Sequence, residues 1–228
     1  MCGRYVVPST TNELLSLFDA TGANWKPSYS VAPTDPAPIV REWSHDETAQ
    51  RDVDLASWGL KPGWAKPGGP APINARLESV ASNGMFRSAF ASQRCLVPMA
   101  GYYEWQQMED GKQPYFLHGD GEVLAAAGLY AARQEDDVWK ISYTIITCAA
   151  RDASGEIHDR MPVFLTPDVW GQWLSPEKIS DKEEALSMLD RSSVAVAKTV
   201  TAYTVARVVN NVRTLDPQDR RLIEPIRS

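Results

Sequence analysis

The chain holds no apolar run approaching the ~20 residues that cross a bilayer, and Asn12 and Glu13 interrupt its first segment before a signal-peptide core can form. Neither a membrane partner nor export is expected, and the cytoplasm is the expected location. Cysteine is scarce: Cys2, Cys95 and Cys148 are odd in number and share no metal-ligand spacing. That argues against a disulfide framework and a zinc site, and no metal or other cofactor is expected. Cys95 and Cys148 lie in apolar runs and read as small buried hydrophobes. Positive charge is also short, with 23 Lys and Arg against 29 Asp and Glu and a net charge of -6. A chain of that sign does not bind long nucleic-acid tracts indiscriminately. Repeats and linker-like composition breaks are missing too, so residues 1–228 read as one domain, expected as a monomer.

What is present suffices for a sizeable core, since 43% of the 228 residues are hydrophobic. A strand is predicted at 5–7. Thr10 and Glu13 then have capping-box spacing ahead of a helix over about 11–20 in which Leu14, Leu17 and Phe18 share a face. Strands near 38–43 and 53–58 form a hairpin across the turn-prone 44–51. Helical patterns follow residue 74 and recur around 85–93. Strands come next at 94–98, 101–105, 115–118, 123–130 and 138–147, with Asp110-Gly111 as a hairpin turn. Helices at 167–173 and 182–189 and a last strand over 202–209 complete an α+β fold, a curved or barrel-like, mainly antiparallel sheet with flanking helices.

Chemistry enters at the first residues, Met1-Cys2-Gly3-Arg4-Tyr5. Removal of Met1 would leave Cys2 with a free α-amine two carbons from its thiol. Such a 1,2-aminothiol attacks an aldehyde through nitrogen, giving a Schiff base, and closes through sulfur into a thiazolidine. An α-amine at a reference pKa of ~7.7 keeps a neutral fraction that a lysine at ~10.4 lacks. Between Leu55 and Tyr103 the charge is locally positive: Lys61, Lys66, Arg76, Arg87 and Arg94 against Glu78 give +4 and leave -10 for the remainder. The same region carries Trp58 and Trp64 on a loop with too many Gly and Pro for helix or strand. Indoles beside lysines are how single-stranded nucleic acid is held. They are equally how a long loop is anchored to a core. Asn74, Glu104 and His158 each lie in short Gly-, Pro- or aromatic-rich stretches. Taken singly they read as a turn residue, a strand carboxylate and a structural histidine.

Met1-Cys2-Gly3-Arg4-Tyr5, the Trp58-to-Lys66 loop, Asn74-Ala75-Arg76, Arg94-Cys95-Leu96-Val97-Pro98 to Glu104-Trp105, and His158-Asp159-Arg160-Met161-Pro162-Val163 follow one another in an order that resembles the SOS-response-associated peptidase family. The resemblance implies a sensor and shield of abasic sites in single-stranded DNA that crosslinks Cys2 to the ring-opened sugar. In it Asn74 orients the terminal residue, Glu104 moves protons, and His158 assists ring opening and reversal. AP-lyase cleavage is implied as a side activity. Arg4 and Arg76 are implied phosphate contacts, and Trp58 and Trp64 implied base contacts. Where the family carries asparagine after a Thr-Thr-x-Ala pattern, this chain has Arg151, which either adds a phosphate contact or alters the hydrogen bonding near His158. The alternative is an N-terminal-nucleophile cysteine peptidase or amidohydrolase built from Cys2, His158 and Asn74.

Overall fold

The computed structural model describes residues 2–45, 48–66, 68–121 and 123–226. The chain runs β1 (Tyr5–Val7), α1 (Thr11–Phe18), β2 (Thr21–Gly22), β3 (Ser28–Val31), β4 (Pro36–His45), β5 (Thr48–Trp58), β6 (Asn74–Arg76), α2 (Arg87–Ser92), β7 (Arg94–Met99), β8 (Gly101–Met108), β9 (Gly111–His118), β10 (Leu124–Glu135), β11 (Val138–Ala149), β12 (Arg160–Pro162), α3 (Pro167–Leu174), α4 (Lys182–Ala197) and β13 (Thr201–Thr204). The α+β class and the mainly antiparallel, barrel-like sheet are as expected.

Five strands close on themselves in the order β11, β10, β7, β4, β5, and a parallel pairing of Ser142–Tyr143 with Ser57–Trp58 seals the ring. The other pairings round the ring are antiparallel. A second, wholly antiparallel sheet lies in the order β13, β9, β8, β1, β3. At the start of β8, Gly101 admits no side chain, because a Cβ would overlap the Leu117 carbonyl and the Phe116 ring. This sheet separates two cores. On β8, Tyr102 packs into the large core that fills the barrel, and Tyr103 into a small one with Val6, Phe116, Val205, Val209 and Leu222. Alternation then puts Glu104 on the face of Tyr102, toward the barrel.

The capping box forms: the Thr10 N–H donates to Glu13 at 2.6 Å, and the Glu13 N–H donates to Thr10 Oγ1 at 3.4 Å. Leu14 and Phe18 are buried, but Leu17 is 45% exposed and leaves the expected face. The hairpin arms extend beyond expectation, to a Ser44–Ala49 and His45–Thr48 pairing, and its tip lies outside the described residues. Two expectations are corrected. Asn74–Arg76 is a strand because it pairs in parallel with Ile145–Thr147, and turns such as Ser79 N–H to the Arg76 carbonyl and Ser82 N–H to the Ser79 carbonyl replace the helix after it. The last strand stops at Thr204, where its partner reaches Pro114, which has no N–H to continue the ladder. Residues 207–210 turn into a 3-10 coil instead.

Candidate active site

Four segments converge at one end of β11. β6 lies against Ile145–Thr147, β12 pairs with Thr147–Ala149, β1 pairs with β8, and Asn74 ties the first segment to β6: its Nδ2 donates to the Cys2 carbonyl at 2.9 Å. The other atom of that amide, Oδ1, is buried and has no hydrogen-bond partner among the described residues. Cys2 itself is fully buried. Burial pushes its thiol well above the ordinary range, and the neighbouring Glu104 charge pushes it further.

Glu104 is 2% exposed. Burial raises its carboxyl to about 7, with the charges of Asp152 and Asp159 adding to the effect. A carboxyl poised there donates and accepts protons with comparable ease at neutral pH.

His158 follows a 3-10 turn at Ala153–Glu156, and its N–H donates to the Ser154 carbonyl at 2.6 Å. Its Nδ1 lies 3.1 Å from the Arg160 N–H and 3.0 Å from Asp159 Oδ1. The two contacts demand opposite roles of one nitrogen. Burial lowers the imidazole pKa and favours the neutral ring, and Asp159 is so exposed that its ion pair contributes little. Nδ1 is therefore the acceptor from Arg160, and the ring's proton sits on Nε2.

Two further residues hold this arrangement and were not singled out from the sequence. The Tyr102 hydroxyl donates to Asp152 Oδ2 at 2.6 Å, while Asp152 Oδ1 accepts from the Ser154 N–H at 2.9 Å and hydroxyl at 2.5 Å. Asp152 thus links the strand carrying Glu104 to the turn carrying His158. Arg160 clamps the other side, with two bonds to Glu78 at 2.7 and 3.0 Å and one to the Thr147 carbonyl at 2.6 Å. An Asp heading a short polar turn is the only signal the sequence offered for Asp152.

The expected binding residues scatter. Trp58 is a core residue: it is fully buried, its Nε1 donates to the Ile73 carbonyl at 2.9 Å, and it packs edge-on to Tyr5 at 5.1 Å and parallel to Tyr143 at 6.4 Å. No base can stack on it without opening the barrel, which corrects its expected role. Arg4 is 7% exposed on the small-core side of β1, where Nη1 donates to Ser30 Oγ at 3.1 Å and the Val209 carbonyl at 3.2 Å, with Trp105 5.7 Å from its guanidinium carbon. Arg94, counted in the basic stretch, is buried and spends its donors on the carbonyls of Phe90, Ala91, Trp173, Ser175 and Glu177. Arg151 pairs with Asp190 at 2.7 Å. Arg76 is exposed, and Trp64 is 63% exposed.

The pattern of the SOS response associated peptidase (SRAP) family matches residues 1–212. The chain belongs to that family. Among its SRAP relatives, the abasic site processing protein YedK of Escherichia coli is 31% identical over 99% of this chain and 100% of its own. The abasic site processing protein YoaM of Bacillus subtilis is 31% identical over 92% and 93%. A crystal structure of a protein from Bacteroides thetaiotaomicron has the same fold, with a TM-score of 0.78 at 21% identity over 99% of this chain and 100% of that one. Among the described residues no helix is long and apolar enough to cross a membrane.

Proposed function

We propose that this SRAP chain processes abasic sites by covalent capture of single-stranded DNA through Cys2 after removal of Met1, which lies outside the described residues. The observation that carries the reading is the Asn74 amide fixing the carbonyl of a buried Cys2 whose thiol feels the charge of the buried Glu104. The relatives named as abasic site processing proteins supply the substrate class.

In the proposed reaction the freed Cys2 amine attacks the aldehyde carbon of the opened sugar, and the carbonyl oxygen takes up a proton to give a carbinolamine. That hydroxyl leaves as water and a protonated imine remains. The Cys2 sulfur then adds to the imine carbon, its proton is lost to a base, and the neutral thiazolidine results. Glu104, balanced near neutrality, receives the proton of the attacking amine and returns one to the departing hydroxyl. Asn74 Oδ1 is the acceptor beside the terminal residue that its amine requires. The neutral His158, with its proton on Nε2, assists ring opening and its reversal. Slow closure through sulfur leaves an imine whose neighbouring proton is acidic, so β-elimination and strand cleavage follow as a side activity.

A thiol raised by burial is suited to this order, amine first and sulfur second, and unsuited to a peptidase, whose nucleophilic thiolate needs a lowered pKa. Intact mass decides. Protein with Cys2 at its terminus, incubated with an oligonucleotide bearing one abasic site, is expected to gain the oligonucleotide mass less one water, and Cys2→Ala to gain nothing. Processed wild-type protein that forms no adduct would refute capture, and hydrolysis of peptides without DNA would establish the amidohydrolase reading.

A further inference from the structure

Two of the chain's eight tryptophans stand out to solvent on neighbouring elements: Trp64 on the loop after β5, and Trp139, 67% exposed, near the start of β11. They border one continuous groove. A depression of about 490 Å³ is lined by Trp139, Gly63, Ala65 and Ala132, and a smaller one of about 70 Å³ by Trp64, Met85, Gly63 and Ala132. Gly63 and Ala132 are common to both, so the indoles stand at either end of a shared floor.

β11 links these depressions to the Cys2 site, but its residues from Ser142 to Cys148 are buried, so the exposed path runs over the loop after β5 and over β6, which lie along its edge. From Trp139 the strand passes Ser142, whose hydroxyl receives the Lys61 N–H at 2.9 Å, and Tyr143, whose carbonyl receives the Gly59 N–H at 2.8 Å. It then reaches Ile145–Thr147, where Asn74–Arg76 pairs. The eight residue steps from Trp139 to Thr147 span about 26 Å at strand rise. Lys61 and Lys66 are exposed along this path, and Lys140 beside Trp139 is exposed while pairing with Glu135 at 2.8 Å. Arg133 is likewise paired with Glu135. Beyond Trp139 the hairpin turns through Asp136 and Asp137, both at positive φ. Two carboxylates there repel phosphate and end the positive path.

We infer that this groove is a second contact surface for single-stranded DNA, holding nucleotides on one side of the lesion, with Trp139 stacking a base at its far end. Spaced indoles beside lysines are the chemistry of sequence-tolerant single-strand sites, and the length suits a site of about four nucleotides or more. The inference rests on the proposed function for its ligand, and it adds a polarity to binding. Only a flank that leaves the lesion in one direction reaches Trp139.

The test uses full-length protein carrying Cys2→Ala, so that affinity is read without any linkage. Two labelled oligonucleotides, each with one abasic site, carry the longer flank on the 5′ or the 3′ side. One of them is expected to bind more tightly. Trp139→Ser is expected to weaken that one about tenfold and erase the difference, Trp139→Phe to restore part of it, and Met108→Ser, an exposed apolar residue outside the groove, to leave it. Equal affinity for both flanks in the parent, or a difference that survives Trp139→Ser in protein with an unaltered melting temperature, would overturn the surface. So would sedimentation showing that Trp139→Ser breaks a dimer while DNA affinity is unmoved. Capture by the wild type is a separate measurement, and its failure would refute the proposed chemistry rather than the groove.

Discussion

The packed pocket of side chains around Cys2 and the rim around Trp64 are both carried by segments bonded to β11, yet they obey opposite requirements. In the pocket, burial is what matters: it raises the Glu104 carboxyl to about 7 and suppresses the Cys2 thiolate. On the rim, exposure is what matters, because an indole or an ammonium group held out in water has a free face to offer. Trp58 and Trp64, six positions apart, show how sharply the boundary falls. One ring is sealed beside the β5–β11 closure and the other projects from the loop that follows it. Pocket changes are therefore expected to alter rate constants and pH dependence, and rim changes to alter affinity.

The largest effect is expected at Glu104. Glu104→Gln removes the proton carrier while preserving shape, and single-turnover capture is expected to slow by about 10²- to 10⁴-fold with noncovalent affinity retained. The same variant reports on burial. The unfolded carboxyl ionises near 4.5 and the folded one at about 7. As pH rises through this window the unfolded chain releases its proton first, so the wild type loses stability relative to Glu104→Gln. The difference is expected to reach roughly 3 kcal/mol above pH 7 and to vanish below about 4. Urea unfolding at pH 4 and pH 8 measures it, and a gap independent of pH would show that Glu104 is not buried as described.

Trp64→Ala comes next, with affinity for an abasic single strand about tenfold weaker and an unchanged rate constant at saturating DNA. A variant that binds normally but reacts slowly would dissolve the distinction between pocket and rim. Asp152→Asn is subtler. It keeps one of the two accepting oxygens, enough for Tyr102 or for Ser154, turns the other into an NH2 donor, and removes a charge that raises Glu104. The limb of the pH–rate profile that reports Glu104 is expected to move to lower pH by up to about one unit. An unmoved limb would confine Asp152 to holding the turn.

What could be read from the sequence divides along the same line. Local rules found β1, the Thr10 capping box, the Asp110-Gly111 hairpin and the helices after Thr166 and Asp181, because each is decided by residues a few positions apart. The segments carrying Cys2, Asn74, Glu104 and His158 were legible through their ordered motifs. The pairing that closes the barrel was not, since it joins residues 57–58 to 142–143 and leaves no periodicity in either strand. That closure decides that Trp58 is structural, and two other features were equally hidden because they join distant residues: the β11 pairing that makes Asn74–Arg76 a strand, and the burial of Arg94 as a donor to five carbonyls. Asp152 escaped notice because its value lies in what it joins.

All three thiols are buried, Cys2 and Cys95 completely. Hydrogen peroxide and alkylating electrophiles react with exposed thiolates, and sulfenic acid formation tracks thiolate character and access. With so little thiolate exposed, all three sulfurs are expected to resist peroxide and alkylating electrophiles for as long as the fold stays closed.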